Sequence, residues 1–103
     1  MDERDFKKDV KKKILEKFPD AIVTQMDPTY IQGIPDMLIL YKDMWATLEV
    51  KKSEKEAKLR PRPNQPYYID KMNKMSFSSF IYPENEEEVL NALERSFKRH
   101  KRR

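Results

Sequence analysis

Two carboxylates and one ammonium group are spaced in this sequence so that folding could bring them together. Asp36 ends the segment Gly-Ile-Pro-Asp at 33–36, and twelve residues separate it from Glu49, with Lys51 two positions further on. Alternate side chains of a β-strand share one face, so Glu49 and Lys51 point the same way. If a turn returns Asp36 to their side, the three groups suit binding of a hard divalent cation. A solvated strand face is the alternative, because 39% of the residues are charged.

Two neighbouring segments are predicted to form the hairpin that positions these groups. Residues 37–41 are continuous and apolar, as expected for a strand covered on both faces. Residues 45–51 alternate, with Ala46, Leu48 and Val50 on one face. A β-hairpin is therefore predicted, with a turn near 42–44.

The register of this hairpin decides whether Asp36 reaches Glu49. Asp36 and Glu49 share a face only if the numbers of two residues that lie opposite each other in the hairpin sum to an odd value. A two-residue turn at 42–43 or at 43–44 meets this condition. A three-residue turn places Asp36 opposite Val50, on the other face, unless Asp36 lies at a bulge. The sequence leaves these alternatives open.

The first helix is predicted to contribute a third carboxylate. Residues 3–18 carry an apolar stripe with a spacing of four, formed by Phe6, Val10, Ile14 and Phe18. On a helical wheel Glu3 falls about 20° from Ile14, whereas Glu16 falls about 200° away on the polar face. Glu3 is therefore the predicted site residue and Glu16 the alternative. Complementing the helix dipole is the competing explanation for Glu3.

The other elements follow from short-range signals. Residues 21–26 are β-prone, and the only glycine, Gly33, lies in the next loop, where it permits a close approach that a side chain would block. Residues 53–63 are polar and contain prolines, which indicates a mobile loop. Asn64 is predicted to cap a helix to residue 75, and Asn85 with Glu88 to open a helix to residue 97. A strand at 77–82 between them gives the order α-β-β-β-α-β-α, an α/β fold with a mixed sheet.

Composition limits the class of protein and the kind of site. The 103 residues form one domain, 1–103, with a basic tail at 98–103 that is expected to fray. There is no cysteine, which excludes cysteine-based zinc sites, and one histidine, His100 in the basic tail, so zinc hydrolases and Ser-His-Asp catalysis lose their usual residues. A metal site must therefore use carboxylates, which favours Mg²⁺ or Mn²⁺. Without a long apolar run or a signal peptide, we expect a soluble, cytoplasmic protein.

The order of elements and motifs resembles the PD-(D/E)XK nuclease superfamily, whose fold is a restriction-endonuclease-like core. The motifs are Gly-x-Pro-Asp at 33–36, Glu-x-Lys at 49–51 and Gln65 opening the next helix. Within the superfamily the chain looks most like small stand-alone VRR-NUC nucleases, often carried by phages. It is also similar to archaeal-type Holliday junction resolvases, which carry an acidic residue at the position of Glu3. The resemblance covers residues 3–82, with the helix at 84–98 as an addition.

This resemblance implies a role for each matching residue. Asp36 and Glu49 would bind one or two Mg²⁺ ions, with the Val50 carbonyl as a backbone ligand and Glu3 as an outer or second-metal ligand. The cation lowers the pKa of bound water and stabilises charge on the phosphate. Lys51 would orient or deprotonate the water, or neutralise the transition state. Gln65 would position Lys51 or the phosphate, or is simply a polar residue at a helix start.

The expected partner is DNA, because basic residues are clustered near the predicted site. Charge on a loop there would track phosphates, although a solvated loop surface explains the same residues. The predicted DNA-binding residues are Lys52, Lys58, Arg60 and Arg62, and Lys8, Lys11 and Lys12 could extend the phosphate-binding surface that they form. We expect a Mg²⁺-dependent endonuclease that acts as a homodimer on branched or structured DNA. The alternative is a non-catalytic nucleic-acid-binding module on the same scaffold.

Overall fold

The apolar periodicities of the sequence become four α-helices and four strands in the computed structural model, which describes residues 2–99. The helices are α1 (Glu3–Lys17), α2 (Glu54–Leu59), α3 (Gln65–Met75) and α4 (Glu86–Arg99). The strands are β1 (Ile22–Gln25), β2 (Met37–Tyr41), β3 (Met44–Val50) and β4 (Phe77–Ile81). A 3₁₀ turn, Pro83–Asn85, precedes α4. In this part of the chain, none of the helices is both long and apolar enough to cross a membrane.

The four strands form one mixed sheet in the order β1-β2-β3-β4. β2 is antiparallel to both of its neighbours, β1 and β3, and β4 runs parallel to β3. The parallel step requires a crossover, and the segment containing α2 and α3 provides it. The predicted mixed α/β sheet is confirmed.

The hairpin between β2 and β3 has the two-residue turn. Tyr41 pairs with Met44 and Met37 pairs with Leu48, so paired residue numbers sum to an odd value. Lys42 adopts a left-handed conformation in this turn, with φ +57°. Such a conformation is uncommon outside glycine, asparagine and aspartate, which explains why the sequence left the turn open.

One face of the sheet forms the hydrophobic core with α1 and α4. The α1 stripe Phe6, Val10 and Ile14 is buried as predicted, together with Phe18 after the helix. The sheet contributes Met37, Ile39, Ala46, Leu48, Val50 and Ile81 to the same cluster, and α4 contributes Val89, Leu90, Leu93 and Phe97. The last helix is therefore an integral part of the single core.

The opposite face of the sheet is covered only in part. β3 has neighbours on both sides, and α3 packs against β3 and β4, so Thr47, Glu49 and Lys51 are also buried. The expectation that β2 is covered on both faces is wrong, because Leu40 is 40% exposed, and α3 packs mainly against β4 and β3. Burial of the outer face is thus concentrated where Glu49 lies.

The segment 53–63 is not simply a loop, because its first half forms α2. Ser53 caps this helix by accepting a hydrogen bond from the Glu56 backbone N–H at 3.1 Å, and Ala57 packs into the fold. The order predicted from sequence was therefore wrong by one short helix. Ser-x-x-Glu at 53–56 is a capping-box signal, and the two following prolines obscured it.

The ends of α3 and α4 differ from the predictions in detail. Asn64 directly precedes α3 as predicted, but it makes no capping hydrogen bond with its side chain, and it has φ +71°. Asn85 accepts a hydrogen bond from the Tyr82 backbone N–H at 2.8 Å and directly precedes α4, which begins at Glu86. Lys98 lies within α4 rather than in a frayed tail. The rest of the predicted tail, from residue 100, lies outside the described residues.

Candidate active site

A cleft of about 620 Å³ lies at the end of the β2–β3 hairpin that is opposite its turn. Asp36 enters it immediately before β2, and Glu49 and Lys51 enter it at the end of β3. α1 contributes Glu3, and the segment from α2 to α3 contributes Glu56, Arg60, Arg62 and Gln65. The fold therefore brings the three motifs of the sequence to one place.

The hairpin register turns Asp36 toward Glu49. The pairing of Met37 with Leu48 leads on to Asp36 opposite Glu49. The Asp36 backbone N–H donates a hydrogen bond to Oε1 of Glu49 at 3.1 Å, which links the start of one strand to the end of the other. The condition that the sequence analysis placed on the site is met.

Glu49 is a buried carboxyl group with competing influences on its pKa. Burial raises its pKa most strongly, followed by the negative charge of Asp36, and Glu3 adds a smaller effect in the same direction. Lys51, whose Nζ is 3.9 Å from Oε2 of Glu49, lowers the pKa, as does the hydrogen bond from Asp36. The net result is a pKa of about 7. A further cation beside this group would favour its charged form.

The two carboxylate oxygens of Asp36 differ in their contacts. Its Oδ2 forms an ion pair with Nζ of Lys7 at 2.6 Å. Its Oδ1 is buried and has no hydrogen-bond partner among the described residues. A buried carboxylate oxygen without a donor is energetically costly, so this atom requires a compensating positive group.

Gln65 connects the active-site strand to the start of α3. Its Nε2 donates to Oε2 of Glu49 at 2.9 Å, and its Oε1 accepts from the Arg62 backbone N–H at 2.9 Å. The resemblance implied that Gln65 would position Lys51 or a phosphate. In the structure its amide contacts the carboxylate of Glu49 and the Arg62 backbone, and the implied role toward Lys51 or a phosphate stays a prediction.

Gly33 allows the loop before Asp36 to lie against the turn before α3. Its φ is +94°, and a Cβ at this position would lie 2.6 Å from Cβ of Asn64 and 2.9 Å from the Pro63 carbonyl oxygen. Real side chains do not approach so closely. The predicted close approach is confirmed, and it joins the loop that carries Asp36 to the segment that carries Gln65.

The structure separates the two candidate carboxylates of α1. Glu3 lines the cleft with Asp36 and Glu49, whereas Glu16 lies beside Leu15 and the exposed lysines of α1. Glu3 is exposed, and within residues 2–99 there is no group of three or more Asp, Glu, His or Cys side chains arranged to hold a metal ion. Glu3 is therefore placed at the cleft, and its role as a ligand stays a prediction.

The other predicted residues differ in their distance from the cleft. Arg60 and Arg62 line it, but Lys58 pairs with Glu54 at 2.8 Å and neither it nor the exposed Lys52 contributes to the lining. Val50 is buried at the end of β3, between the two cleft residues of that strand. Its carbonyl stays a predicted ligand.

Sequence reasoning missed Lys7 as a residue of the site. Lys7 lies one turn after Glu3, about 40° away on the helical wheel. The argument that directed Glu3 toward the site therefore applied to Lys7 as well. Glu56 was also missed, because it lies on the short helix that was interpreted as a loop.

The donors present fit a divalent cation. Asp36 and Glu49 offer hard oxygen ligands on adjacent strands, and the uncompensated Oδ1 of Asp36 lies where such an ion would remove its cost. The pKa of Glu49 is raised first by its burial and then by the negative charge of Asp36, and a cation bound between the two carboxylates would offset both effects. Comparison with known proteins adds no identification, since no family model, curated protein or solved structure matches the chain.

Proposed function

We propose that this protein is a metal-dependent endodeoxyribonuclease that uses Mg²⁺ or Mn²⁺, built on the restriction-endonuclease-like core of PD-(D/E)XK nucleases. The observation that carries the proposal is the buried, unpartnered Oδ1 of Asp36, one strand away from a carboxyl group whose pKa is raised to about 7. Two carboxylates held together in this way are costly unless a cation binds them. Lys51 beside them provides the positive charge that phosphodiester hydrolysis needs.

The fold supports this proposal through the position of the motifs. The Pro-Asp and Glu-x-Lys segments lie on adjacent antiparallel strands, and the helix carrying Glu3 reaches the same cleft. The register, the glycine before Asp36 and the glutamine opening α3 each contribute to one site. If the motif spacing were a coincidence on an unrelated fold, there would be no reason for the register, the glycine and the glutamine all to contribute to the same cleft.

The residues of the cleft divide the chemical work. Asp36 and Glu49 would hold the ion, which when bound lowers the pKa of water and offsets charge on the phosphate. Lys51 is 7% exposed and directs Nζ into the cleft, where it can donate to a phosphate oxygen and stabilise developing negative charge. Gln65 holds Glu49 in position, so that carboxylate stays aimed at the cleft. Arg60 and Arg62 supply charge for the phosphates next to the reacting one.

Branched or otherwise structured DNA is the proposed substrate, and a homodimer the proposed active form. One cleft of this size acts on one strand at a time, so paired cuts in a junction need two copies of the chain. The resemblance to junction resolvases supports this choice of substrate. A phage origin is implied by the resemblance to VRR-NUC nucleases, and a cytoplasmic location, expected from the sequence without a long apolar run or a signal peptide, also belongs to the proposal.

A cleavage panel tests the function. Purified protein is incubated with linear, nicked, flapped, splayed and four-way DNA in Mg²⁺ or Mn²⁺, and products are resolved on denaturing gels. We expect metal-dependent cutting of the branched forms, loss of cutting in Asp36→Asn and Lys51→Ala, and retained binding of both variants measured by fluorescence anisotropy in Ca²⁺. Lys71→Ala, at an exposed site on α3, is the matched control and should cut normally.

The second candidate is a nucleic-acid-binding module that does not cut. The ion pair between Lys7 and Asp36 favours it, because a lysine already neutralises one ligand oxygen. Binding in Ca²⁺ with no cleavage of any DNA form in either metal would establish this candidate and overturn the enzyme. Cleavage that survives Asp36→Asn would overturn the assignment of the site.

A further inference from the structure

Most charged residues of α1 fall in two adjacent sectors of the helix, and Glu3, Lys13 and Lys17 lie outside both. Five basic residues fall within about 140° of the helical wheel, and the acidic residues Asp5, Asp9 and Glu16 fall within about 40° next to them. The basic set is Arg4, Lys7, Lys8, Lys11 and Lys12. A helix that only needed solubility would not require this separation, and one basic side is the electrostatic footprint of a polyanion-binding surface.

A groove of about 330 Å³ runs between this basic side and the edge of the sheet. Lys7, Lys8 and Lys11 line one wall, and Thr24 and Gln25 of β1 line the other. β1 is an edge strand, so within residues 2–99 the backbone groups on its outer side have no neighbouring strand. Lysine, threonine and glutamine side chains and free backbone N–H groups are the donors that commonly bind phosphate oxygens.

Lys8 and Lys11 of the groove differ from Lys13 and Lys17 of the same helix in their partners. Lys13 pairs with Asp9 and Glu86, and Lys17 pairs with Glu94. Lys8 and Lys11 are exposed, and among the described residues neither forms an ion pair. Their charge is therefore uncompensated and available to a ligand.

Lys7 connects the groove to the candidate active site. It lines the groove while its Nζ contacts Asp36 at the edge of the cleft. The groove leaves the site on the β1–β2 side, whereas Arg60 and Arg62 line the cleft together with Gln65, which binds Glu49 on β3. Positive charge thus extends to both sides of the two carboxylates.

We propose that the α1–β1 groove binds the sugar-phosphate backbone of a DNA strand on one side of the reacting phosphate, and that Arg60 and Arg62 bind it on the other side. Lys7 and Lys11 are one turn apart, about 6 Å along the helix axis, over which one DNA strand passes about two phosphates. This inference rests on the proposed nuclease function and deepens it. A strand held on both sides is cut internally, so the substrate is a continuous strand rather than a strand end.

The first experiment measures binding without cleavage. Wild type, Lys8→Ala/Lys11→Ala and the matched control Lys71→Ala/Lys74→Ala, which removes two exposed α3 lysines, are titrated with DNA in Ca²⁺ at several salt concentrations. We expect the groove variant to bind DNA more weakly than wild type. The slope of log affinity against log salt concentration should be smaller in magnitude by about 1.8, because each of the two lost phosphate contacts contributes about 0.9. The control should keep the wild-type slope. A groove variant indistinguishable from the control would overturn the proposal, even if the protein cuts DNA.

The second experiment locates the contacts along the strand. Neutral methylphosphonates replace single phosphates on either side of the cut, and cleavage rates are compared. We expect interference on both sides in wild type, on one side only in Lys8→Ala/Lys11→Ala, and on the opposite side only in Arg60→Ala/Arg62→Ala. Interference confined to one side in wild type would contradict the path. If no DNA form is cut, the nuclease function falls, and the salt dependence of binding still decides whether the groove holds DNA.

Discussion

Gln65 donates a hydrogen bond from Nε2 to Oε2 of Glu49 at 2.9 Å, and so ties the first residue of α3 to the active-site strand. The same side chain accepts from the Arg62 backbone N–H, which fixes the segment that carries the arginines of the cleft. The orientation of the Glu49 carboxylate and the placement of the arginines of the cleft therefore depend on one amide.

Replacing Gln65 with alanine should weaken divalent-ion binding. The carboxylate of Glu49 would lose a donor that fixes its orientation, and partners of this kind typically contribute 10–100-fold to metal affinity. Mn²⁺ titration followed by electron paramagnetic resonance measures the change. Gln32→Ala, a cleft residue outside this hydrogen-bond chain, is the control and should bind Mn²⁺ as wild type does. Equal Mn²⁺ affinities for the two variants would contradict the role given to Gln65.

Replacing Gly33 with alanine should destabilise the protein and disturb the cleft together. The new Cβ would meet Asn64 at 2.6 Å, and alanine is strained at φ +94°. A strained residue of this kind costs about 1–3 kcal/mol, which urea denaturation would detect. Gln32→Ala, the adjacent exposed position, should stay within about 0.5 kcal/mol of wild type. A Gly33→Ala variant as stable as wild type would show that the loop does not need this approach.

The metal-free protein should lose stability as the pH rises toward 7. The pKa of Glu49 is raised from 4.5 to about 7 in the fold, so the folded state holds a proton there that the unfolded state releases above about pH 4.5. The proton on Glu49 makes its full contribution to the free energy of unfolding below about pH 4.5. This contribution, about 3 kcal/mol in total, is lost as the pH rises through the folded-state pKa. Urea denaturation of wild type and Glu49→Gln between pH 5 and 8 measures it. Parallel curves for the two proteins would exclude the effect.

Replacing Phe97 with alanine should destabilise the whole domain. Its ring stacks on Tyr41 at 5.4 Å between centroids and meets Phe18 edge-on at 5.3 Å, which joins α4 to β2 and the end of α1. Truncating a buried phenylalanine costs about 3–5 kcal/mol. Arg95→Ala, on the exposed side of the same helix, should cost less than about 0.5 kcal/mol. A small loss for Phe97→Ala in urea denaturation would mean that α4 is a peripheral addition.

Long periodic patterns allowed much of this fold to be predicted. The spacing of Phe6, Val10 and Ile14 was sufficient to identify α1 and its buried face, because amphipathic burial follows the helix period directly. α2 was missed because only Ala57 is buried on it, so six residues gave no apolar stripe. The cap at Ser53 was the available signal.

The candidate site was predictable where it depends on strand geometry and less so where it depends on long-range packing. The register in which the numbers of paired β2 and β3 residues sum to an odd value is one of a few discrete options. Which register forms depended on Lys42 adopting a left-handed conformation in the turn. The helical phase of Lys7 indicates which side of α1 it occupies, but its contact with Asp36 also depends on how α1 packs against the sheet. The solvent exposure of Leu40 likewise depends on tertiary packing, because α3 packs mainly against β4 and β3.

The two-residue turn also affects the order of events in folding. It joins Asp36 and Glu49 through a short local loop, whereas Lys7 and Gln65 reach them only when α1 and α3 dock. Local contacts generally form before distant ones, because closing a short loop costs less entropy. The two negative charges would then meet before their partners arrive, which raises the barrier to folding. Stopped-flow refolding of Asp36→Asn without divalent ions should therefore be faster than that of wild type.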